Sequence, residues 1–327
     1  PVRMIIHDHK AKRAGPHFDI RLAMGGKGYS WATRKGLPVE GRPTLLFRTP
    51  DHQLSYFDFE GHIPEGEYGH GTVTKPFDAP VVVHAPPANG QPAKIDLTIT
   101  TSPHQGRYTL LEKGKDTWLA IKRKPLPREW APRNPFSSNV PEEAWKDEGW
   151  HASEQKAGVS VLATLSPQGV GIVSRRKSGE EEPVAKDDHV PHIRDLKVPA
   201  KYHGMVVRGE LYHPKEGYNV VSGLLNSDPV KAVQTQKALG KLKLDAFNVV
   251  KLPGGKPADE VPFQEKWKLL QDLVRDVAAT SFGVPNSTTE SRSEFFKDVV
   301  SKGGEGVVLT RLDATGDHTQ FRAKKYQ

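Results

Sequence analysis

Pro125-Leu126-Pro127-Arg128-Glu129-Trp130-Ala131-Pro132-Arg133-Asn134-Pro135, with a further proline at Pro141, is the stretch that divides this 327-residue chain. Repeated prolines remove backbone donors and deny a segment both helix and ladder hydrogen bonds. Pro125–Glu148 therefore reads as an interdomain connector. The expected domains are residues 1–124, a Pro-rich linker at 125–149, and residues 150–327, in keeping with roughly 150 residues per domain. Upstream, short alternating runs at Thr44–Phe47, Thr72–Thr74, Pro80–His84, Ile95–Thr100, Tyr108–Glu112 and Thr117–Lys122 are bounded by turn residues. Such spacing predicts a compact antiparallel, barrel-like β domain. Downstream, strand-like runs at Gly158–Leu165, Gly169–Ser174, Gly204–Tyr212, Leu244–Lys251 and Gly306–Arg311 alternate with three helical patterns. These are Pro229–Leu239 behind an Asp228 N-cap, Pro262–Thr280, and Ser291–Lys302 opening with a Ser291-x-x-Glu294 capping box. The second domain is thus expected to be α+β. Glu180–Glu182 beside Arg175–Lys177 reads as an exposed hairpin tip.

Forty-seven Lys and Arg against 39 Asp and Glu give a net charge of +8. Residues 1–125 carry 18 basic and 12 acidic side chains and eight of the fourteen histidines, so the basic surplus concentrates there. A positive field favours polyanions. The plainer alternative is that the surplus only keeps the protein in solution. No apolar run approaches the length needed to cross a bilayer, so no membrane association is expected. The absence of Cys excludes disulfides, thiolate metal sites and cysteine nucleophiles, and a reducing, cytoplasmic setting is the natural expectation. No secretory signal is visible after Pro1-Val2-Arg3-Met4, and the chain reads as beginning inside a longer polypeptide.

His7-Asp8-His9-Lys10 and His17-Phe18-Asp19-Ile20-Arg21-Leu22 are dense in metal- and phosphate-capable groups. In a strand His17, Asp19 and Arg21 share one face, because side chains alternate. Imidazole with carboxylate suits Mn²⁺, Zn²⁺ or Fe²⁺, and a neighbouring Arg can hold phosphate oxygens. Taken alone, scattered surface histidines explain the same letters. Further on come Trp31-Ala32-Thr33-Arg34-Lys35-Gly36, Asp51-His52-Gln53-Leu54-Ser55-Tyr56, and the long run Phe59-Glu60-Gly61-His62-Ile63-Pro64-Glu65-Gly66-Glu67-Tyr68-Gly69-His70-Gly71.

Together, from His9 to Thr74, these motifs resemble the 3′-phosphoesterase domain of bacterial ligase D. The resemblance implies that His9, His17 and Asp19 hold Mn²⁺ or Zn²⁺. It implies that Arg21 and a protonated His52 grip the scissile phosphate, with Lys35 and Tyr56 assisting. The chain departs from that family's pattern at three places: Pro50 stands where Glu is usual, Thr44 where Arg is usual (Arg42 is close), and Gly15-Pro16 lengthens the spacing between His9 and His17.

In the second half, Glu154-Gln155-Lys156-Ala157-Gly158, Val173-Ser174-Arg175, Arg208-Gly209-Glu210-Leu211, Ala246-Phe247-Asn248-Val249, Glu305-Gly306-Val307-Val308-Leu309 and Phe321-Arg322-Ala323-Lys324 follow one another in order. Their order and spacing resemble the adenylyltransferase core of ATP-dependent DNA ligases, an ATP-grasp-like α+β fold. The resemblance implies Lys156 as the nucleophile that takes AMP from ATP. Glu154, Glu210, Phe247, Glu305, Arg322 and Lys324 would bind the nucleotide, Glu305 would also hold Mg²⁺ or Mn²⁺, and Arg175 would touch nucleic acid. The usual K-x-D-G-x-R is replaced by Lys156-Ala157-Gly158-Val159-Ser160, without its acidic residue, and no oligonucleotide-binding-fold segment follows the last core motif. The expected function is DNA 3′-end processing joined to ATP-dependent strand sealing in repair. DNA nicks or broken ends are the partner, alongside end-joining proteins, and the chain is expected to be monomeric and nucleoid-associated. The alternatives are a DNA-end-binding module with weakened chemistry and an RNA ligase.

Overall fold

The computed structural model describes residues 1–84, 92–131, 136–175, 183–316 and 320–324. The chain divides into two compact units, Pro1–Pro125 and Leu126–Gln327. The hairpin tip expected at Glu180–Glu182 lies outside the described residues, as do Pro132–Pro135 of the connector.

Nine strands build the first unit: β1 (Val2–Ala11), β2 (Gly15–Met24), β3 (Lys27–Thr33), β4 (Thr44–His52), β5 (Gly61–Ile63), β6 (Gly71–His84), β7 (Lys94–Ile99), β8 (Gly106–Gly114) and β9 (Thr117–Lys122). They pair in the order β1-β2-β3-β4-β9-β8-β7-β6, and β6 returns to β1, closing an eight-stranded barrel with β5 appended to β6. The barrel expected for this half is present. Two runs read as separate strands, Thr72–Thr74 and Pro80–His84, form one long β6. Pro76 and Pro80 lie within it at positions whose missing N–H the ladder tolerates. Alternation fills the interior: Met4, Ile6, Ile20, Leu22, Trp31, Leu97 and Trp118 are buried together, the Trp31 and Trp118 rings meeting edge to face at 5.4 Å. Each such side chain contributes about 1.5–3 kcal/mol by leaving water. The intervening residues of β1 and β2 face outward, and there the histidines lie.

The second unit contains α1 (Glu143–Lys146), β10 (Trp150–Gln155), β11 (Gly158–Ser166), β12 (Gly169–Ser174), β13 (Val184–Ala185), α2 (Pro191–Arg194), β14 (Val206–Tyr212), α3 (Tyr218–Asn226), α4 (Pro229–Leu239), β15 (Lys243–Lys251), α5 (Phe263–Val277), β16 (Phe282–Gly283), β17 (Ser287–Thr288), α6 (Arg292–Ser301), β18 (Gly306–Arg311) and β19 (Gln320–Lys324). They make a six-stranded sheet, β13-β12-β11-β14-β15-β16, and a four-stranded sheet, β17-β10-β18-β19. Helix α4 starts as its sequence predicts, with Asp228 accepting from the Val230 and Lys231 amides at 2.9 and 3.4 Å. The capping box expected at Ser291 does not form: Ser291 takes φ 48° and its side chain makes no cap bond. Helix α3 carried no start signal in the sequence. It is held by burial of Val221, Leu224 and Leu225. The stretch read as a connector packs against this unit from Leu126 onward. Arg128 forms a two-pronged pair with Asp187 at 2.6 and 2.8 Å, and the carbonyl of Pro127 fills the space over Gly171. No described helix is long and apolar enough to cross a membrane.

Candidate functional site

Strand register assembles the outer face of β1–β3. His9 lies opposite His17 and His7 opposite Asp19, while Arg21 lies opposite Ser30. Directly paired residues share a face, so six polar side chains converge. The ligand atoms of His9, His17 and Asp19 all lie within 4.8 Å of one another. His9 Nδ1 is 3.8 Å, and His17 Nε2 3.4 Å, from Asp19 Oδ2. The other ring nitrogens face backbone carbonyls: His9 Nε2 at 2.6 Å from Gly69 O and His17 Nδ1 at 2.9 Å from Gly15 O. A carbonyl only accepts, so each ring donates there and leaves its remaining lone pair toward Asp19. Backbone partners of this kind set tautomers for metal ligation. Two imidazole lone pairs and one carboxylate thus fit a first-row divalent ion. The Gly15-Pro16 insertion belongs to this arrangement, because Gly15 supplies the carbonyl that fixes His17.

Arg21 is fixed from several sides although it is only 3% exposed. Its Nε donates to His7 Nδ1 at 3.2 Å and its Nη1 to the Ser30 hydroxyl, while Nη2 stands 3.4 Å from Asp19 Oδ2. Nη1 also lies 2.9 Å from His52 Nδ1. The guanidinium sits over the Tyr56 ring at 5.0 Å, and that ring packs on His52 at 5.0 Å and stacks on Phe59 at 5.4 Å. Residues 54–71 therefore roof the site. Burial raises the Asp19 carboxyl while its His17 and Arg21 neighbours lower it, and the net result holds it below its ordinary value. The proximity of Asp19 in turn raises His17. Burial, reinforced by Arg21, pushes His7 down to about 4 and lowers His52. The fixed positive charge at this site is Arg21, and burial works against the protonated His52 that the resemblance implies.

Tyr56 packs into the cluster, whereas Lys35 is exposed beyond the end of β3. Pro50 presents its carbonyl 3.0 Å from His52 Nδ1. Thr44 is buried in β4 and bonds Gly36 O at 3.2 Å, so it supplies no charge. Sequence reading gave no role to His7, Ser30 or Gly69. Register alone reveals the first two. Gly69 shows itself only in space: at φ 84° a Cβ there would meet His9 Cε1 at 3.2 Å.

In the second unit, β10, β18 and β19 end together, Gln155 pairing with Gly306 and Gly306 with Lys324. Lys156, Glu305 and Lys324 are accordingly brought to one end of the small sheet. Lys156 Nζ lies 3.3 Å from Glu154 Oε1, with the lysine side chain 25% exposed. Glu154 is itself held by the Asn286 amide at 3.0 Å. Gly158, two residues on, has the Leu211 carbonyl where a Cβ would be, 2.1 Å away, so only glycine lets β11 approach β14. Glu210 is registered with Ser160 on one side and Asp245 on the other. Phe247 is half-buried, 6.5 Å from Phe136, whose ring carries the Arg322 guanidinium at 5.7 Å. Glu305 is exposed, as is Arg175 just past β12.

Asp245 was not anticipated. It is buried, its Oδ1 accepts from Tyr212 OH at 3.4 Å, and Lys156 lies over the same tyrosine ring at 5.2 Å. Burial raises its carboxyl to about 6, against the pull of Lys156. Such a group is equally protonated in the folded and unfolded chain below about pH 4, and its buried charge weighs fully against folding above about pH 6. Asp245→Asn is expected to stabilise the protein at pH 7.5 by on the order of 2 kcal/mol, with no gain at pH 4. Thermal unfolding of both proteins at the two pH values measures this. An equal shift at both would show that packing, not charge, is responsible.

Residues 7–112 match the DNA Ligase D 3′-phosphoesterase domain family. Over 325 residues the chain is 28% identical to the multifunctional non-homologous end joining DNA repair protein LigD of Mycobacterium tuberculosis, covering 95% of this chain and 39% of that protein. The LigD of Mycolicibacterium smegmatis is 25% identical over 327 residues, 96% of this chain and 40% of that protein. The chain thus spans about two fifths of the length of these relatives. Among solved structures, mycobacterial DNA ligase D complexed with ATP and MES aligns with a TM-score of 0.42 at 20% identity, covering 60% of this chain and 61% of that one. The chain is therefore a relative of the ligase D proteins along nearly its whole length, with the 3′-phosphoesterase family match confined to residues 7–112.

Proposed function

We propose that the first unit removes 3′-terminal phosphate from DNA ends and that the second transfers adenylate for strand sealing. The observation that carries the first part is the convergence of His9, His17 and Asp19 beside Arg21 and His52. A divalent ion, Mn²⁺ or Zn²⁺, held by His9 Nδ1, His17 Nε2 and Asp19 would polarise a phosphoryl oxygen. The protein's own groups supply the rest. Arg21 offers a fixed positive charge whose Nη2 can reach a phosphate oxygen, and it needs no reorganisation because His7, Ser30 and Asp19 already hold it. His52 Nδ1 lies between Arg21 Nη1 at 2.9 Å and the Pro50 carbonyl at 3.0 Å, which holds the ring beside the guanidinium. Tyr56 and Phe59 exclude water from one side of the pair.

For the second unit, the Lys156 amine would attack the α-phosphorus of ATP, releasing pyrophosphate. Glu210, Phe247, Arg322 and Lys324 are proposed to hold the nucleotide, and Glu305 a Mg²⁺ or Mn²⁺ ion. The expected substrate is broken or nicked DNA, and end-joining proteins the expected partners. The test is phosphate release from a 3′-phosphorylated primer with Mn²⁺. Metal-dependent release is expected. Tight primer binding without release would favour an end-binding module in its place.

A further inference from the structure

The loop between β5 and β6 is pinned to the histidine cluster at several points. Its turns close through Glu67 N to Pro64 O and His70 N to Glu67 O, each 3.2 Å, and Lys12 N takes the His70 carbonyl at 2.9 Å. Gly69 gives its carbonyl to His9 at 2.6 Å and is held by contact with that ring to lack a side chain. Tyr68 is the residue between these anchors. Its backbone is one peptide from a group bonded to His9, yet its side chain is 99% exposed, against 59% for the next most exposed large apolar residue, Val39. Tyr56 makes the contrast: on the other side of the cluster, a ring of the same kind is packed against His52 and Phe59.

An isolated exposed aromatic on a loose loop calls for no explanation. A bare ring on a loop fixed to a phosphate-capable cluster does. Consecutive Cα atoms are about 3.8 Å apart, and the Gly69 carbonyl bonds His9 at 2.6 Å, so the Tyr68 backbone stands beside the His9, His17 and Asp19 cluster. A phosphate seated there brings its own nucleoside to the same neighbourhood. His62 and His70, meeting edge to face at 5.5 Å, flank the same loop with two further flat rings.

We propose that Tyr68 is a stacking platform for the terminal nucleobase of the strand whose 3′-phosphate enters the cluster. The inference rests on the phosphoesterase reading above and adds to it a base-recognition subsite. Every base has a π-face, so the platform accepts any terminal base. Ends of arbitrary sequence would then be served alike.

The experiment compares Tyr68→Ala, Tyr68→Phe and the parent protein on a 3′-phosphorylated primer and on glycerol 2-phosphate, which has no ring to stack. Stacking predicts that Tyr68→Ala raises KM for the primer by about 5- to 150-fold. It also predicts an unchanged kcat, no change with glycerol 2-phosphate, and near-parental behaviour of Tyr68→Phe. A primer ending in an abasic 3′-phosphate should erase the difference between Tyr68→Ala and the parent. Unchanged primer KM in Tyr68→Ala, or an equal loss on both substrates, overturns the proposal. If the parent releases phosphate from neither substrate, the phosphoesterase reading fails. Anisotropy of the labelled primer then decides stacking by itself: weaker binding by Tyr68→Ala upholds it, and equal binding overturns it.

Discussion

His17→Ala is expected to lower phosphate release from a 3′-phosphorylated primer by on the order of 10²- to 10³-fold, with loss of Mn²⁺ binding measured calorimetrically on the same protein. His17 is the suitable choice because its side chain is 17% exposed and its other ties are to the Gly15 carbonyl and the His9 ring, neither in the barrel core, so truncation leaves that core untouched. Asp19 would be a poorer one. It faces Arg21, a guanidinium only 3% exposed, and removing the carboxylate would strand that charge, at a cost of about 3–5 kcal/mol. Lost activity in Asp19→Ala would then mix unfolding with chemistry. In His17→Ala a parental melting temperature with lost metal binding isolates the ligand role. Parental activity would remove His17 from the site altogether.

The second large effect concerns Lys156. Incubation with α-labelled ATP and Mg²⁺ is expected to leave an acid-labile label on the parent chain and none on Lys156→Ala, as read by denaturing electrophoresis. The physical basis is that, among the described residues, Lys156 stands at the shared end of β10, β18 and β19 with its Nζ 3.3 Å from Glu154 Oε1. Lys156→Arg should fail equally, because a guanidinium stays protonated and cannot attack phosphorus. Label persisting in Lys156→Ala would shift the nucleophile to another lysine. Absence of label in every form would leave the second unit as a binding module.

Several of these features were readable before any coordinates. Strand periodicity put His17, Asp19 and Arg21 on one face, and the alternating runs of the first half announced a barrel. Asp228 and Pro229 announced α4 at its observed bounds. Such features depend on neighbours along the chain, where side-chain direction and backbone donors follow from a few adjacent residues. The capping box at Ser291 failed because a local preference was overridden: Arg292 is drawn into bonds with the carbonyls of Ala144 and Trp150, which fixes the helix start from outside.

What residues 1–125 determined alone was which atoms could bind a metal and phosphate. Only tertiary structure decided how those atoms are charged and aimed. The pairing of β2 with β1 and β3 chose His7 and Ser30 as the supports of Arg21, and partial burial beside Arg21 lowered the affinity of His52 for a proton. In the second unit, the fold carried Asp245 from a distant strand to the neighbourhood of Lys156 and Tyr212. Desolvation and Coulomb interactions act through space, across sequence separations that no local pattern encodes.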